Sequence, residues 1–182
     1  DAINRPVCGV PVLTRIIATA VRSGVARVLI VSPPGLSGRR LAAHLESSVF
    51  KSATIEILEV DPPFDASKAD AWSAIAHCLN ERFLWIPYGY LPHRTALADL
   101  LQAAAKHPDS PMRFTNVADT GPDERIFERP TVFRKRDLLE ANRPEFQVVI
   151  AQGQPGIRLD SPADIRNVER ELVGTAGKIT DG

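Results

Sequence analysis

Three short loops hold most of the side chains in this chain that could do chemistry. Each follows an apolar run that reads as a β-strand, and open α/β sheets bind ligands outside the carboxyl ends of their strands. The first loop, Ser32-Pro33-Pro34-Gly35-Leu36-Ser37-Gly38, has two glycines but neither GxGxxG nor P-loop spacing. It reads as a turn before it reads as a phosphate cradle. The second, Asp61-Pro62-Pro63-Phe64-Asp65, sets two carboxylates close enough to approach a metal ion, although Asp-Pro-Pro is also ordinary turn chemistry. The third, Pro87-Tyr88-Gly89-Tyr90-Leu91, is the most suggestive. Its tyrosines could pack on a ring while the glycine lets backbone approach a ligand. The same residues also suit a tight turn with half-buried rings.

Other reactive side chains point to no activity of their own. His44, His77, His93 and His107 have no metal-ligand spacing and form no HExxH, so surface and helix-cap roles are expected. Arg134-Lys135-Arg136, followed by Asp137, reads as a solvated helix start. Cys8 and Cys78 make no disulfide framework and no CxxC; Cys78, in a helix with an apolar face, reads as a buried thiol. Free thiols suit a reducing, cytoplasmic setting. No nucleophile elbow or other acyl-transfer signature is present.

These loops need a framework, and the length allows one. A chain of 182 residues fits a single domain, which buries roughly 70% of its unfolded surface. With 22 basic and 22 acidic side chains the formal net charge is zero, which argues against a general nucleic-acid binder. Aromatic residues, at 6%, are too few for a base-stacking platform. No apolar run approaches the ~20 residues of a membrane span, and no signal-peptide pattern is visible.

The elements follow from periodicity. Leu13, Ile16, Ile17, Ala20 and Val21 share one helical face, with Pro11 suited to the first turn and Gly24 to the left-handed stop. Arg27 to Val31 is a continuous aliphatic run, as in a strand covered on both faces. Because the chain enters this helix almost at once, an N-terminal strand is expected to be missing or cut short. A short helix is expected over 39–47, with Leu41, Ala42 and Leu45 inward, then a strand over 54–60. Ser67 with Asp70 resembles a capping box before a helix carrying Trp72, Ile75, Ala76 and Leu79. Phe83 to Ile86 is a compact strand, and Pro92 opens a helix with the stripe Ala96, Leu97, Leu100, Leu101 and Ala104. This alternation favours a parallel sheet with right-handed crossovers. After Pro108 the pattern is mixed. Strands are expected over 112–117 and 125–127 around Thr120-Gly121-Pro122-Asp123, then a short helix over 134–141 and a strand over 146–151. Ser161-Pro162-Ala163-Asp164 opens a last helix with Ile165, Val168 and Leu172 inward.

Three stretches together resemble the nucleotidyltransferase-like family, which includes sugar-phosphate and alditol-phosphate cytidylyltransferases and MobA-like proteins. Gly9-Val10-Pro11-Val12-Leu13-Thr14-Arg15 with Ser23-Gly24-Val25 and Val28-Leu29-Ile30-Val31 is similar to that family's "GxPLLxR…aGvxxvvvV" segment. Phe83 to Leu91 is similar to its "flvlpGDh" strand and loop. Leu159-Asp160-Ser161-Pro162-Ala163-Asp164-Ile165 resembles the late "D-x-D-T-P-E-D-L" motif. The resemblance implies a mixed, mostly parallel Rossmann-like sheet flanked by helices, of the nucleotide-diphospho-sugar transferase type, over residues 1–176. The tail 177–182, Gly177-Lys178-Ile179-Thr180-Asp181-Gly182, resembles the "K-x-T-D-G" junction that leads into a CDP-alcohol phosphatidyltransferase membrane domain. It implies a membrane-embedded partner domain in the same protein, with this part on the cytosolic face.

Departures from the pattern bear on activity. The family's "LAAGxGxR" nucleotide loop has no counterpart, and Arg5 is the cation nearest the usual lysine position. The metal-binding Asp of "pGDh" falls on Gly89, and the first Asp of the late motif on Arg158, leaving Asp160 as the sole matched metal candidate. Two carboxylates hold Mg²⁺ against a triphosphate. The expected ligand-contacting set is therefore Arg5, Tyr88, Gly89, Tyr90, Arg158 and Asp160, with no catalytic residue assigned. No cofactor is expected, and Mg²⁺ only if the domain is active. Three functions are open: a degenerate accessory domain of phospholipid synthesis; an active cytidylyltransferase joining CTP to a phosphorylated alcohol; or a homodimerisation module built on 108–156.

Overall fold

Pro6–Val7 (β1) and Val10–Pro11 (β2) form a two-residue antiparallel pair that leads into helix α1, Val12–Arg22. The structure is a computed structural model that describes residues 6–7, 10–34, 48–115, 123–139, 147–150, 156–159 and 162–177. α1 buries Ile16, Ile17, Ala20 and Val21 as its spacing predicts, but Val12 is buried in place of Leu13, which is only partly covered; Gly24 takes the left-handed conformation (φ 99°) just beyond the helix. The chain then enters β3, Arg27–Ser32, which pairs in parallel with β4, Thr54–Glu59.

Helix α2, Ala69–Ile75, runs into a 3₁₀ turn over Ala76–Cys78 and buries Trp72 and Ile75. The expected capping box does not form. Lys68 is the N-cap, and Ser67 instead donates from its hydroxyl (2.6 Å) and backbone N–H (3.0 Å) to Asp65, closing a local turn. Cys78 is only half-buried, because the 3₁₀ turn carries it off the helix face that its position in a longer helix would have occupied.

After β5 (Arg82–Trp85) and β6 (Tyr90–Pro92) comes helix α3, Arg94–Lys106. Pro92 ends a strand rather than starting the helix: its pairing with Gly156 keeps the backbone extended as far as His93. Next are β7 (Met112–Thr115), a 3₁₀ segment at Asp123–Glu128, β8 (Thr131–Arg134) and α4 (Lys135–Leu139). The strand expected over 125–127 is that 3₁₀ segment, and β8 beyond Pro130 takes the place in the sheet. Thr131, Val132 and Phe133 are all buried, so no alternation marks them as a strand. The chain closes with β9 (Gln147–Ile150), β10 (Gly156–Arg158) and α5 (Pro162–Gly177). The helix expected over 39–47, Cys8, His44 and the turn at Thr120 to Pro122 lie outside the described residues.

The result is the mixed α/β architecture the sequence implies. A four-stranded sheet has the order β5-β8-β7-β9, antiparallel except for β7 with β9. Its two faces differ in chemistry. On one, Ala96, Leu97, Leu100 and Ala104 of α3 meet Ala20, Met112, Phe114 and Val132. On the other, Trp72 sits among aromatic rings: edge-on to Phe64 at 4.9 Å and to Trp85 at 5.2 Å, stacked with Phe127 at 5.8 Å. Both indoles have their N–H satisfied, Trp72 by the Ala66 carbonyl (2.8 Å) and Trp85 by that of Phe127 (2.9 Å).

Candidate functional site

The loop after β5 folds as a tight turn. Tyr90 donates its N–H to the Pro87 carbonyl (3.2 Å), with Gly89 at the third position and φ 79°, the left-handed value a type II turn requires there. A Cβ at Gly89 would meet nothing closer than the Leu159 carbonyl at 3.7 Å, so glycine is favoured here by its backbone angle and not by crowding. The turn separates the two tyrosines. Tyr88 is 58% exposed and Tyr90 is 6% exposed, so the tight turn forms as one reading expects but its rings are one exposed and one buried, not both half-buried.

β6 carries this turn to the last strand. Tyr90 pairs with Arg158, Leu91 with Ile157 and Pro92 with Gly156, and the Leu159 N–H donates to the Gly89 carbonyl at 2.7 Å. Gly156 makes this contact possible: a Cβ there would lie 2.5 Å from the Tyr90 ring and 2.6 Å from the Leu91 carbonyl. Beneath the pair, Val12 and Ile16 of α1, Leu159, and Val168 of α5 form a local core. Two stretches far apart in the chain, 87–91 and 156–159, thus make one surface at the end of β5.

Of the expected ligand-contacting residues, Tyr88, Gly89, Tyr90 and Arg158 are brought together here, while Arg5 and Asp160 lie outside the described residues. The Arg158 guanidinium donates to the Glu128 carboxylate, both groups being partly exposed. Glu128 was not visible as a site residue from sequence, because it sits in a 3₁₀ segment with no motif and reaches Arg158 only through the fold. Gly89 and Arg158 stand where the resemblance would place two carboxylates, and Glu128, the carboxylate found at Arg158 among the described residues, is engaged by that cation. Among the described residues no group of three His, Cys, Asp or Glu side chains could hold a metal ion.

The other loops are placed as follows. Asp65 is bound by Ser67 and reaches Lys68 at 3.4 Å; its Ser67 hydrogen bonds hold its carboxyl below the ordinary aspartate range. Asp61 is exposed, and neither it nor Asp65 belongs to a group of three side chains among the described residues that could hold a metal ion. Ser32, at the end of β3, is 2% exposed, and its hydroxyl has no hydrogen-bond partner among the described residues. Gly35 and Gly38 lie outside the described residues. His77, His93 and His107 are exposed, His93 meeting Thr95 Oγ1 (2.8 Å) ahead of α3. Arg134 is not the solvated residue expected: it forks onto the buried Asp137 (2.6 and 2.7 Å) and donates to the Asp109 carbonyl.

No protein-family model matches this sequence, and no curated protein matches it at the level of sequence. Solved structures do match its fold. HddC from Yersinia pseudotuberculosis superposes with a TM-score of 0.69 at 10% identity, covering 94% of this chain and 89% of its own. The same protein complexed with GMP-PN gives 0.64 at 9% identity, with the same coverage of 94% and 89%. Apo UDP-glucose pyrophosphorylase gives 0.71 at 11% identity, covering 96% of this chain and 91% of its own. At such identities the likeness is one of architecture. The chain shares its mixed α/β fold with HddC and with UDP-glucose pyrophosphorylase.

Proposed function

We propose that this domain has lost nucleotidyl transfer and acts as the soluble, cytosolic accessory part of a CDP-alcohol phospholipid-synthesis protein. The observation that carries the loss of activity is the Gly89–Arg158 surface. Nucleotidyl transfer joins a substrate phosphate oxygen to the α-phosphorus of the nucleotide and expels pyrophosphate, and the growing charge needs a divalent ion held by carboxylates. Here a glycine and an arginine stand where the resemblance places two of those carboxylates. A guanidinium suits a phosphate oxygen as a bidentate partner, so this surface can bind a phosphorylated alcohol without a route to transfer. The link to phospholipid synthesis rests on the tail Gly177 to Gly182 and its resemblance to the junction with a membrane domain. Among the described residues no helix is long and apolar enough to cross a membrane.

Titration calorimetry of the domain with CTP, with and without Mg²⁺, tests this reading. The expected result is no metal-dependent heat at tens of micromolar protein. Micromolar binding that requires Mg²⁺ overturns it in favour of an active cytidylyltransferase.

A further inference from the structure

The contact between Glu128 and Arg158 joins two distant pieces of chain, and each piece is fixed by bonds of its own. Around Glu128 the backbone is held on both sides. The Phe127 carbonyl accepts from the Trp85 indole (2.9 Å), and the Phe127 ring stacks on Trp72. The Ile126 and Arg129 carbonyls accept from the hydroxyl of the fully buried Thr131 (3.2 and 3.0 Å). Arg158 is held by β10, where it pairs with Tyr90, and its neighbour Leu159 donates its N–H to the Gly89 carbonyl. With both backbones anchored, side-chain rotation is what opens or closes the ion pair.

The pair is poorly placed to be a structural strut. Its side chains are 46% and 40% exposed, and pairs this open to water favour the closed form by only about fivefold at most. What the contact does is fill a guanidinium with an anion. Carboxylate and phosphate oxygens take the same charge-assisted N–H bonds from an arginine. A phosphate arriving at Arg158 therefore meets a carboxylate already on its donors, and the two anions repel at that distance.

We propose that Glu128 is a built-in competitor for Arg158: it occupies the guanidinium when no ligand is bound, and so sets the affinity with which a ligand phosphate is captured. This rests on the reading of the surface as one that binds a phosphorylated alcohol. Because Glu128 is tethered beside its partner, the competition is intramolecular. The apparent dissociation constant rises by the inverse of the fraction of pairs that are open. For an exposed pair the penalty is about three- to fivefold.

Titration calorimetry of the whole chain with sn-glycerol 3-phosphate, in phosphate-free buffer, tests this. Glu128→Gln removes the charge and should bind about three- to fivefold more tightly than wild type. Glu128→Asp keeps the charge but withdraws it by one methylene, so its affinity should fall between the two. Arg158→Gln should lose at least about tenfold, and adding Glu128→Gln to it should restore nothing. Inorganic phosphate should repeat the ratio between Glu128→Gln and wild type, since the competition concerns the phosphate and not the alcohol. Thermal midpoints of the Glu128 variants should stay within about 4 °C of wild type; loss of a mere strut would lower the midpoint without raising affinity. The proposal is overturned if Glu128→Gln binds no more tightly while Arg158→Gln still loses binding, and the phosphate-binding reading then stands. It is also overturned if Glu128→Asp matches wild type, or if the double variant gains over Arg158→Gln, because either shows a charge acting at a distance. If Arg158→Gln binds as well as wild type, or if no variant binds, the phosphate-binding reading itself fails and this proposal with it.

Discussion

The two edges of β5 are built differently, although they belong to the same four residues. Toward β8 the register is complete from Arg82 with Arg134 to Trp85 with Thr131. Behind it Phe133 is fully buried, and the Thr131 hydroxyl donates to the Ile126 (3.2 Å) and Arg129 (3.0 Å) carbonyls. Toward β3 the same strand meets a cavity. Order on one edge does not impose order on the other. The stability of the isolated domain is therefore expected to reside in the aromatic half, while the candidate site lies at the mouth of the less complete half.

The largest predicted effect tests this asymmetry directly. Phe133→Ala removes a ring with neighbours on every side, among them Trp72, Phe83 and Phe127. It should cost about 4 kcal/mol in urea unfolding. Leu29→Ala removes a half-buried side chain that borders the cavity. It should cost only about 1 kcal/mol, since few contacts are lost. Equal costs would show that the β3 edge is as well packed as the β8 edge, and the comparison would fail.

How much of this was legible in sequence follows the same division. α1 and β3 could be read because their signals are local: a 3.6-residue stripe between Pro11 and Gly24, then an unbroken aliphatic run. β8 could not. Three buried residues before a basic run look like the approach to a helix, and what makes Arg134 a strand residue is Asp137 and the Asp109 carbonyl, supplied by the fold. The site divides likewise. The turn at Gly89 was visible from its own glycine, and the resemblance singled out Phe83 to Leu91 and Leu159 to Ile165 as motifs. That Gly89 and Leu159 share a hydrogen bond, and that Glu128 binds Arg158, are long-range facts without local signature.

A smaller effect sharpens the comparison at the site end of β5. Gly156 has φ 148°, and any Cβ there meets the Tyr90 ring and the backbone of Leu91 and Pro92 at 2.5–2.8 Å. Gly156→Ala should cost about 2 kcal/mol through strain and displaced pairing. Its sharper signature is spatial: amide exchange at Tyr90 and Leu159 should quicken, while β8 stays protected. Loosening of β8 to the same degree would mean that site and aromatic core unfold as one unit.

The smallest effect concerns the amino ends of β3 and β5. Arg27 forks onto Glu56 at 2.8 and 2.9 Å, and that hydrogen bonding, opposed by some burial, holds the Glu56 carboxyl below the ordinary glutamate range. A carboxylate with a lowered folded-state pKa binds its proton more readily when unfolded. Its contribution is therefore complete above the unfolded value, about 4.3 for glutamate, and is lost as pH falls through the folded one. Arg27 stays charged across that range, its pKa being raised by the same contact. The urea midpoint should decline below about pH 5, and Glu56→Gln should flatten part of that decline. Asp65, also lowered, supplies a remaining part. Both groups of the pair are more than a third exposed, so about 0.5 M salt should shrink the difference between wild type and Glu56→Gln at neutral pH. A difference that survived salt unchanged would mean that the pair is more enclosed than an end-of-strand contact should be, and that the less complete side of the domain is closed at its base.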